Sequence, residues 1–481
     1  MSQEELSGIP LLRWLWRQLT SMRTALILLL LLGVAAIPGS LFPQRTQNPM
    51  KVNEYLIAHP GLGRFLDSIK MFDVYGSPWF SAIYILLFIS LIGCVLPRTM
   101  EHAKAIRKQP PLTPRNLDRM EGHAILSGGD LERAAFWLKK RHFRIRLEEN
   151  SISAEKGYLR ESGNLLFHLS LILILVAVAI GSLYGYKGDA ILNVGERFVN
   201  TPTSYDTLSF GKLQKESTLQ PFTVTATKFV AKYDPATNAP QDYTLYVSTS
   251  PEIGSPEKNR IIKVNSPMTY GSTKVYLQAN GYSPVVTVRD KSGSITFQGP
   301  VIFLPQDGNL TSTGAIKLPD MNPQIGMVGS FVPTYSRNST RGAFSMYPEV
   351  LDPRLLLSVF TGDLGLDSGI PQSVYRLDTK KMTRIALKQL ELGQTLNFGE
   401  GTITFNGYRS WVNLQVVNDP GKTYALFGAI FALLGLLLSL FARQRRIWVK
   451  VGNQVEIAGL AKNAAPGLLD ELSELKKWME S

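Results

Sequence analysis

The sequence predicts a membrane α-helical protein with four transmembrane helices and a large extracytoplasmic all-β domain of sandwich-like build. Three observations predict it. Four stretches, Thr24 to Phe42, Trp79 to Pro97, Leu165 to Gly185 and Tyr424 to Phe441, are apolar and contain no Lys, Arg, Asp or Glu. At about 1.5 Å per helical residue each can cross a hydrocarbon core of roughly 30 Å. Lys and Arg gather in three of the segments that flank them, and the long segment before the last stretch alternates like a series of strands.

Taken in order, the chain reads as an N-terminus (1–23), a first span (24–42), an outer loop (43–78), a second span (79–97), a loop module (98–162), a third span (163–186), a β domain (187–423), a fourth span (424–442) and a tail (443–481). The first span is read as uncleaved, because no small-residue cleavage pattern follows "AAIPGSLFPQ" and the chain goes back into the membrane. Basic residues near span ends stay on the cytoplasmic side. Residues 1–23 carry 3 of them, 98–162 carry 14 and 443–481 carry 7, against 4 in 43–78. Both termini are therefore expected in the cytoplasm and 187–423 outside. The net charge of +13 follows from this topology and from anionic lipid beside "RTMEHAKAIRKQ" and "ARQRRIWVKV", so no nucleic-acid partner is expected.

In the loop module, "DLERAAFWLKKRHF" has helical spacing and "FRIRLEENSISAEKG" alternates like a hairpin. The tail segment "PGLLDELSELKKWME" reads as a short amphipathic helix on membrane or partner, or equally as a solvated helical end. Trp14, Trp16, Trp79 and Trp448 read as membrane-interface anchors. "IPGSLFPQ" and "VVNDPGK" read as turns where the chain leaves and re-enters the membrane.

The β segment contains runs such as "FTVTATKFV", "YTLYVS", "VVTVRD" and "TITFNGY", separated by Gly, Pro, Asn and Asp, and its length suggests two sandwich-like halves divided near Asp290. From Lys187 to Thr423 there is no His and no Cys. That excludes imidazole acid-base catalysis, a Ser-His-Asp triad, a Cys nucleophile and His/Cys zinc sites there, and favours binding of a protein partner. With one Cys in the chain, disulfides and multi-cysteine metal sites are excluded as well. Cys94 reads as a packing residue.

His168, in "GNLLFHLSLILILVAVAIG", is the only clearly ionisable side chain in any span apart from the weakly acidic Cys94 and Tyr84. Such a residue in lipid faces a partner or a site. It lies about four residues, some 6 Å, beyond one span boundary. Neutral imidazole is the form that ligates haem iron and other transition metals, and the alternative is a hydrogen bond to a neighbouring helix. His59, His102, His123 and His142 fall outside the spans and are expected in solvent. A bis-histidine site inside the membrane would then need a second subunit.

Together these residues resemble the ResB (CcsB) family of System II cytochrome c biogenesis. Five stretches carry the resemblance in order: "IPGSLFPQ"; "ISAEKGYLRESGNLLFHLSLILILVAVAIGSLYGYKGDAILNVGE"; "PFTVTATKF"; "IIKVNSPMTYGSTKVYLQANGY"; and "NLQVVNDPGKTYALFGAIFALLGLLLSLFARQRRIWVKV". The resemblance implies a ResC (CcsA) partner, haem b carried transiently across the membrane and shared with that partner, and attachment of haem to apocytochrome c. His168 matches the family's intramembrane haem-ligating histidine, with the second axial ligand on the partner. The chain would be a half-site, non-catalytic subunit of a haem lyase complex in a bacterial plasma membrane, or in a thylakoid membrane in a photosynthetic host. The competing reading is an assembly factor that binds an exported protein through the β domain and no haem.

Overall fold

The computed structural model describes residues 8–45, 49–120, 122–339, 342–366, 373–461 and 467–481. Nine α-helices are found among them: α1 (Gly8–Leu19), α2 (Met22–Leu41), α3 (Pro49–Ala58), α4 (Pro60–Ser68), α5 (Pro78–Ile106), α6 (Leu131–Lys140), α7 (Leu159–Tyr184), α8 (Lys422–Phe441) and α9 (Leu468–Glu480). Of these, α2, α5, α7 and α8 are long and apolar enough to span a membrane. Contacts divide the chain into two units, residues 1–179 with 421–481, and residues 180–420.

In the first unit, Ser21 caps α2 by accepting a hydrogen bond from Thr24 N, and Ser77 caps α5 in the same way through Phe80 N, so each apolar run starts at a residue that satisfies an orphan N–H. "IPGSLFPQ" is not a turn throughout. Pro38 lies inside the last turn of α2 and its carbonyl accepts Phe42 N, so the chain turns only after Leu41. The loop that follows is closed by Gln44, which is 3 % exposed. Its amide donates to the carbonyls of Phe42 and Met71 and its oxygen accepts Val74 N. A small core of Val52, Leu66 and Phe72 fills the space between α3 and α4.

α5 continues past Pro97 to Ile106, so the basic stretch after the second span begins as helix rather than linker. The greater departure from expectation is the tail. Its expected amphipathic helix is present as α9, but packed on a sheet and not free or on lipid: Arg445–Val451 and Val455–Ala461 complete an antiparallel sheet with strands from the 98–162 loop, in the order Gly122–Leu126, Val455–Ala461, Arg445–Val451, Ser151–Lys156, Arg144–Glu148. α6 and α9 cover one face, burying Leu138, Ile152, Ile447, Val449, Ile457 and Leu475 completely. Trp448 points from the opposite face into a cluster with Leu117 and Ala458 and is 3 % exposed, so it is a core residue and not an interface anchor.

The second unit is all β among its described residues, apart from the end of α7 and short 3-10 turns. Its spine is a ribbon of two long strands, Thr273–Asp290 and Gly401–Asn418, paired from Thr273 opposite Asn418 to Asp290 opposite Gly401. One half of the ribbon packs with a four-stranded sheet around Phe198, Phe222, Leu245, Ile262, Val275 and Val416. The other half packs with a five-stranded sheet around Val286, Phe303, Phe331, Leu357, Ile403 and Phe405. Two sandwich-like halves are therefore present, but Asp290 is the tip of a strand, where its N–H bonds Ser294 O in a tight turn. The division falls inside the two long strands, which supply Val275, Leu277, Val412, Leu414 and Val416 to one core and Tyr282, Val286, Val288, Ile403 and Phe405 to the other, and so cannot be cut at a loop. The strand Tyr186–Asn193, which follows α7, pairs with the ribbon strand that precedes α8, Tyr186 standing opposite Asn418.

Candidate functional site

The site is built on α7. Gly163, Ser170 and Ala177 are buried on it, and Gly428 and Gly435 are buried on α8. The two helices approach so closely that a Cβ added at Gly435 would lie 2.5 Å from Phe167 N and 2.8 Å from Gly163 O, and one at Gly428 would lie 2.6 Å from Ile174 Cγ1. Small residues at such spacing let apolar helices pack backbone to backbone in lipid, where no hydrophobic force drives them together. At about 100° per residue, His168 sits roughly 140° around α7 from Gly163 and 160° from Ser170. The imidazole is thus turned away from α8.

His168 is half-buried, and its ring stands edge-on to Phe167 with centroids 5.3 Å apart. Nδ1 is 2.7 Å from the carbonyl oxygen of Asn164, one turn earlier. A carbonyl can only accept, so Nδ1 carries the proton and the lone pair of the neutral ring is on Nε2. The alternative weighed from the sequence, a bond to a neighbouring helix, is not what is seen: the bond is within α7, and among the described residues Nε2 has no hydrogen-bond partner. A histidine held through Nδ1–H to a backbone carbonyl, with Nε2 directed outward, is the arrangement that orients imidazole as a metal ligand. The side chain fits an axial ligand of haem iron on that ground.

Other polar side chains in the spans bond backbone carbonyls. Ser90 Oγ donates to Leu19 O and Cys94 Sγ to Thr20 O, each at 2.6 Å, tying α5 to the α1–α2 corner. Ser170 Oγ donates to Leu166 O.

The remaining histidines are dispersed. His59 and His142 are exposed. His102 and His123 are not free in solvent as expected. His102 Nε2 lies 2.9 Å from Ser162 Oγ in the first turn of α7, where Arg98 also meets Glu161, and His123 Nε2 lies 3.3 Å from Glu456 Oε2 across the sheet. Among the described residues no three His, Cys, Asp or Glu side chains gather as a metal site.

The sheet face opposite α6 and α9 carries a row of charges. Strand register sets Glu155 between Arg144 on one side and Arg446 on the other. Arg144 NH2 reaches Glu155 Oε2 at 3.2 Å, while Arg446 and Gln444 donate to Oε1 at 3.1 and 2.8 Å. Burial alone would raise the Glu155 carboxyl, but the hydrogen bonds from Gln444, Arg446 and Arg144 and the charge of Arg446 outweigh it and hold it below the usual carboxylate range. Alternation of charge and apolar residue in "RRIWVKV" and "FRIRLEE" was the available signal.

A family model for the ResB-like family matches residues 22–473. The cytochrome c biogenesis protein CcsB of Synechococcus sp. (strain WH7803) is 27% identical over 478 residues, covering 95% of this chain and 96% of its own. The CcsB proteins of Microcystis aeruginosa, 24% identical over 95% of this chain and 94% of theirs, and of Prochlorococcus marinus (strain NATL1A), 25% identical over 96% and 98%, align along the same extent. With four spanning helices, a split β domain and the family match running through all of them, the chain belongs to the ResB-like family.

Proposed function

We propose that this chain serves cytochrome c biogenesis as the haem-holding half of a two-subunit synthase, with a ResC (CcsA)-type membrane protein as the other half. His168 Nε2 provides one axial ligand to haem b and the partner provides the second. The observation that carries this reading is the His168 ring itself, fixed by Asn164 O through Nδ1 and turned away from α8. Full-length similarity to proteins named for cytochrome c biogenesis supports the same role. Haem is cargo here: it supplies the iron and the vinyl groups to which cysteine thiols of apocytochrome c become attached.

This chain's own contribution is to hold and orient. The i−4 hydrogen bond fixes the imidazole tautomer before haem arrives, and the glycine-packed α7–α8 pair keeps the ring from rotating out of reach of a partner. The Lys and Arg distribution supports both termini and the loop-and-tail domain in the cytoplasm of a bacterial plasma membrane, with the β domain outside, where it offers apocytochrome or partner a surface. His168, near the cytoplasmic end of α7, is then placed to receive haem made in the cytoplasm.

The test is co-expression with the partner and an absorption spectrum of the purified complex. A b-type spectrum is expected that His168→Ala abolishes while the complex still purifies. An undiminished spectrum in that variant would overturn the haem role and leave the β domain, binding an exported protein, as the working part of the chain.

A further inference from the structure

Beneath the row Arg144–Glu155–Arg446 lies a cavity of about 710 Å³, between that sheet face and the end of α5. It is of a size that takes a small organic ligand. Four cationic side chains line it, Lys108, Arg144, Arg146 and Arg446, against the carboxylates Glu155 and Glu161. Glu155 is shared between two guanidinium groups, Glu161 pairs with Arg98 and Arg146 with Glu148, both outside the lining, which leaves Arg144, Arg446 and Lys108 against Glu155. The wall is therefore net positive. Arg144 stands over the Tyr158 ring, 3.9 Å from its centroid, and donates to Ile106 O, which fixes its fork in place. Its Nε is buried without a hydrogen-bond partner. Lys108 is exposed and has no side-chain partner among the described residues. Ala105, Ile106, Pro111 and Leu112 make the opposite wall apolar.

Depth narrows the choice of ligand. Of the residues that line the cavity, His102 on α5 and Glu161 on α7 are the nearest in sequence to the apolar runs of their helices. They stand about five residues beyond Pro97 and four before Leu165, hence roughly 6–8 Å from the apolar runs, which is the thickness of the lipid headgroup layer. A positive pocket with one apolar wall at that depth matches a phosphate on a glycerolipid.

We infer that this cavity binds the headgroup phosphate of an anionic phospholipid, at the membrane face where α5 ends and α7 begins. The guanidinium groups and Lys108 contact the phosphate oxygens, and the acyl chains run along the apolar wall toward the bilayer. A free phosphate ion shares the oxyanion chemistry but not the apolar contact. The inference stands apart from the haem reading, because none of these groups touches His168.

The test is lipid retention by the full-length protein in detergent, read by native mass spectrometry after delipidation and titration with phosphatidylglycerol, in the parent and in His168→Ala. One tightly held phosphatidylglycerol is expected in both, with phosphatidylcholine failing to replace it. Lys108→Gln, which changes an exposed side chain, weakens retention severalfold, and Lys108→Gln with Arg146→Gln weakens it roughly tenfold. Arg107→Gln, an exposed neighbour outside the lining, leaves it unchanged. Equal losses in Arg107→Gln, or equal retention of phosphatidylcholine, reduce the effect to a diffuse surface charge and overturn the inference. Displacement by millimolar inorganic phosphate as readily as by lipid rejects the lipid and leaves an oxyanion site.

Discussion

In the α2–α5 pair, the polar side chains of Ser90 and Cys94 each donate their one proton to a backbone carbonyl of the α1–α2 corner. In the α7–α8 pair, packing rests on Gly163, Gly428 and Gly435, so no polar side chain is needed to hold the helices together, and His168 is bonded through only one of its two nitrogens. The two pairs differ in where the polar group is tied. Ser90 and Cys94 bond another segment of the chain, whereas the His168 bond stays within α7 and Nε2 has no hydrogen-bond partner among the described residues.

The comparison can be broken most forcefully at the glycines. Gly435→Leu sets a side chain against the backbone of Phe167 and Gly163, atoms that cannot move aside, and the α7–α8 pair is expected to come apart with loss of monodisperse protein. Gly33→Leu on α2 meets open space and should change thermal stability by less than about 0.5 kcal/mol. Thermal unfolding in detergent compares the two, and equal damage would show that α7 and α8 are not packed through these residues.

Of intermediate size is Glu155→Gln, which leaves Arg144 and Arg446 facing each other without a counter-charge. Removing one member of a buried ion pair costs about 3–5 kcal/mol, and the partial exposure of Arg446 lowers the expectation here to about 2 kcal/mol. Because the Glu155 carboxyl is held below its ordinary value, its contribution is fully present above the unfolded value of about 4.3 and is lost as pH falls through the lower folded one. Denaturation measured from neutral to acid pH should therefore show a fall in stability that the Gln variant lacks. Smaller effects than this belong to Ser90→Ala and Cys94→Ala, about 0.6 kcal/mol each. Haem content of the complex should be untouched by either, and a loss in Cys94→Ala would give the thiol a role beyond packing.

Much of this architecture was legible because hydrophobic periodicity is a local signal. The four spans, α6 and the hairpin of Arg144–Glu148 with Ser151–Lys156 follow from runs of residues that are neighbours in sequence. The joining of tail to loop was not legible. Arg445–Val451 finds its partner Ser151–Lys156 almost three hundred residues away, and its Arg and Trp mimic the basic, aromatic end of a span. Only the burial of Ile447 and Val449 against α6 and α9 decides between those readings. The division of the β domain was misplaced at Asp290 for a related reason: turn residues mark strand ends, whereas the two cores are divided along the length of continuous strands. His168 stood out as a lone imidazole in an apolar run, but its Asn164 bond and its position away from α8 depend on helix phase and on the glycine contacts.

The central claim, that Nε2 of His168 completes the coordination of haem iron, is tested most directly by chemical rescue in the two-subunit complex. In His168→Gly the low-spin b-type spectrum should be lost and then restored by added imidazole, which re-supplies the missing nitrogen without the side chain. A His168→Gly complex that keeps the parent spectrum before any imidazole is added would contradict the claim.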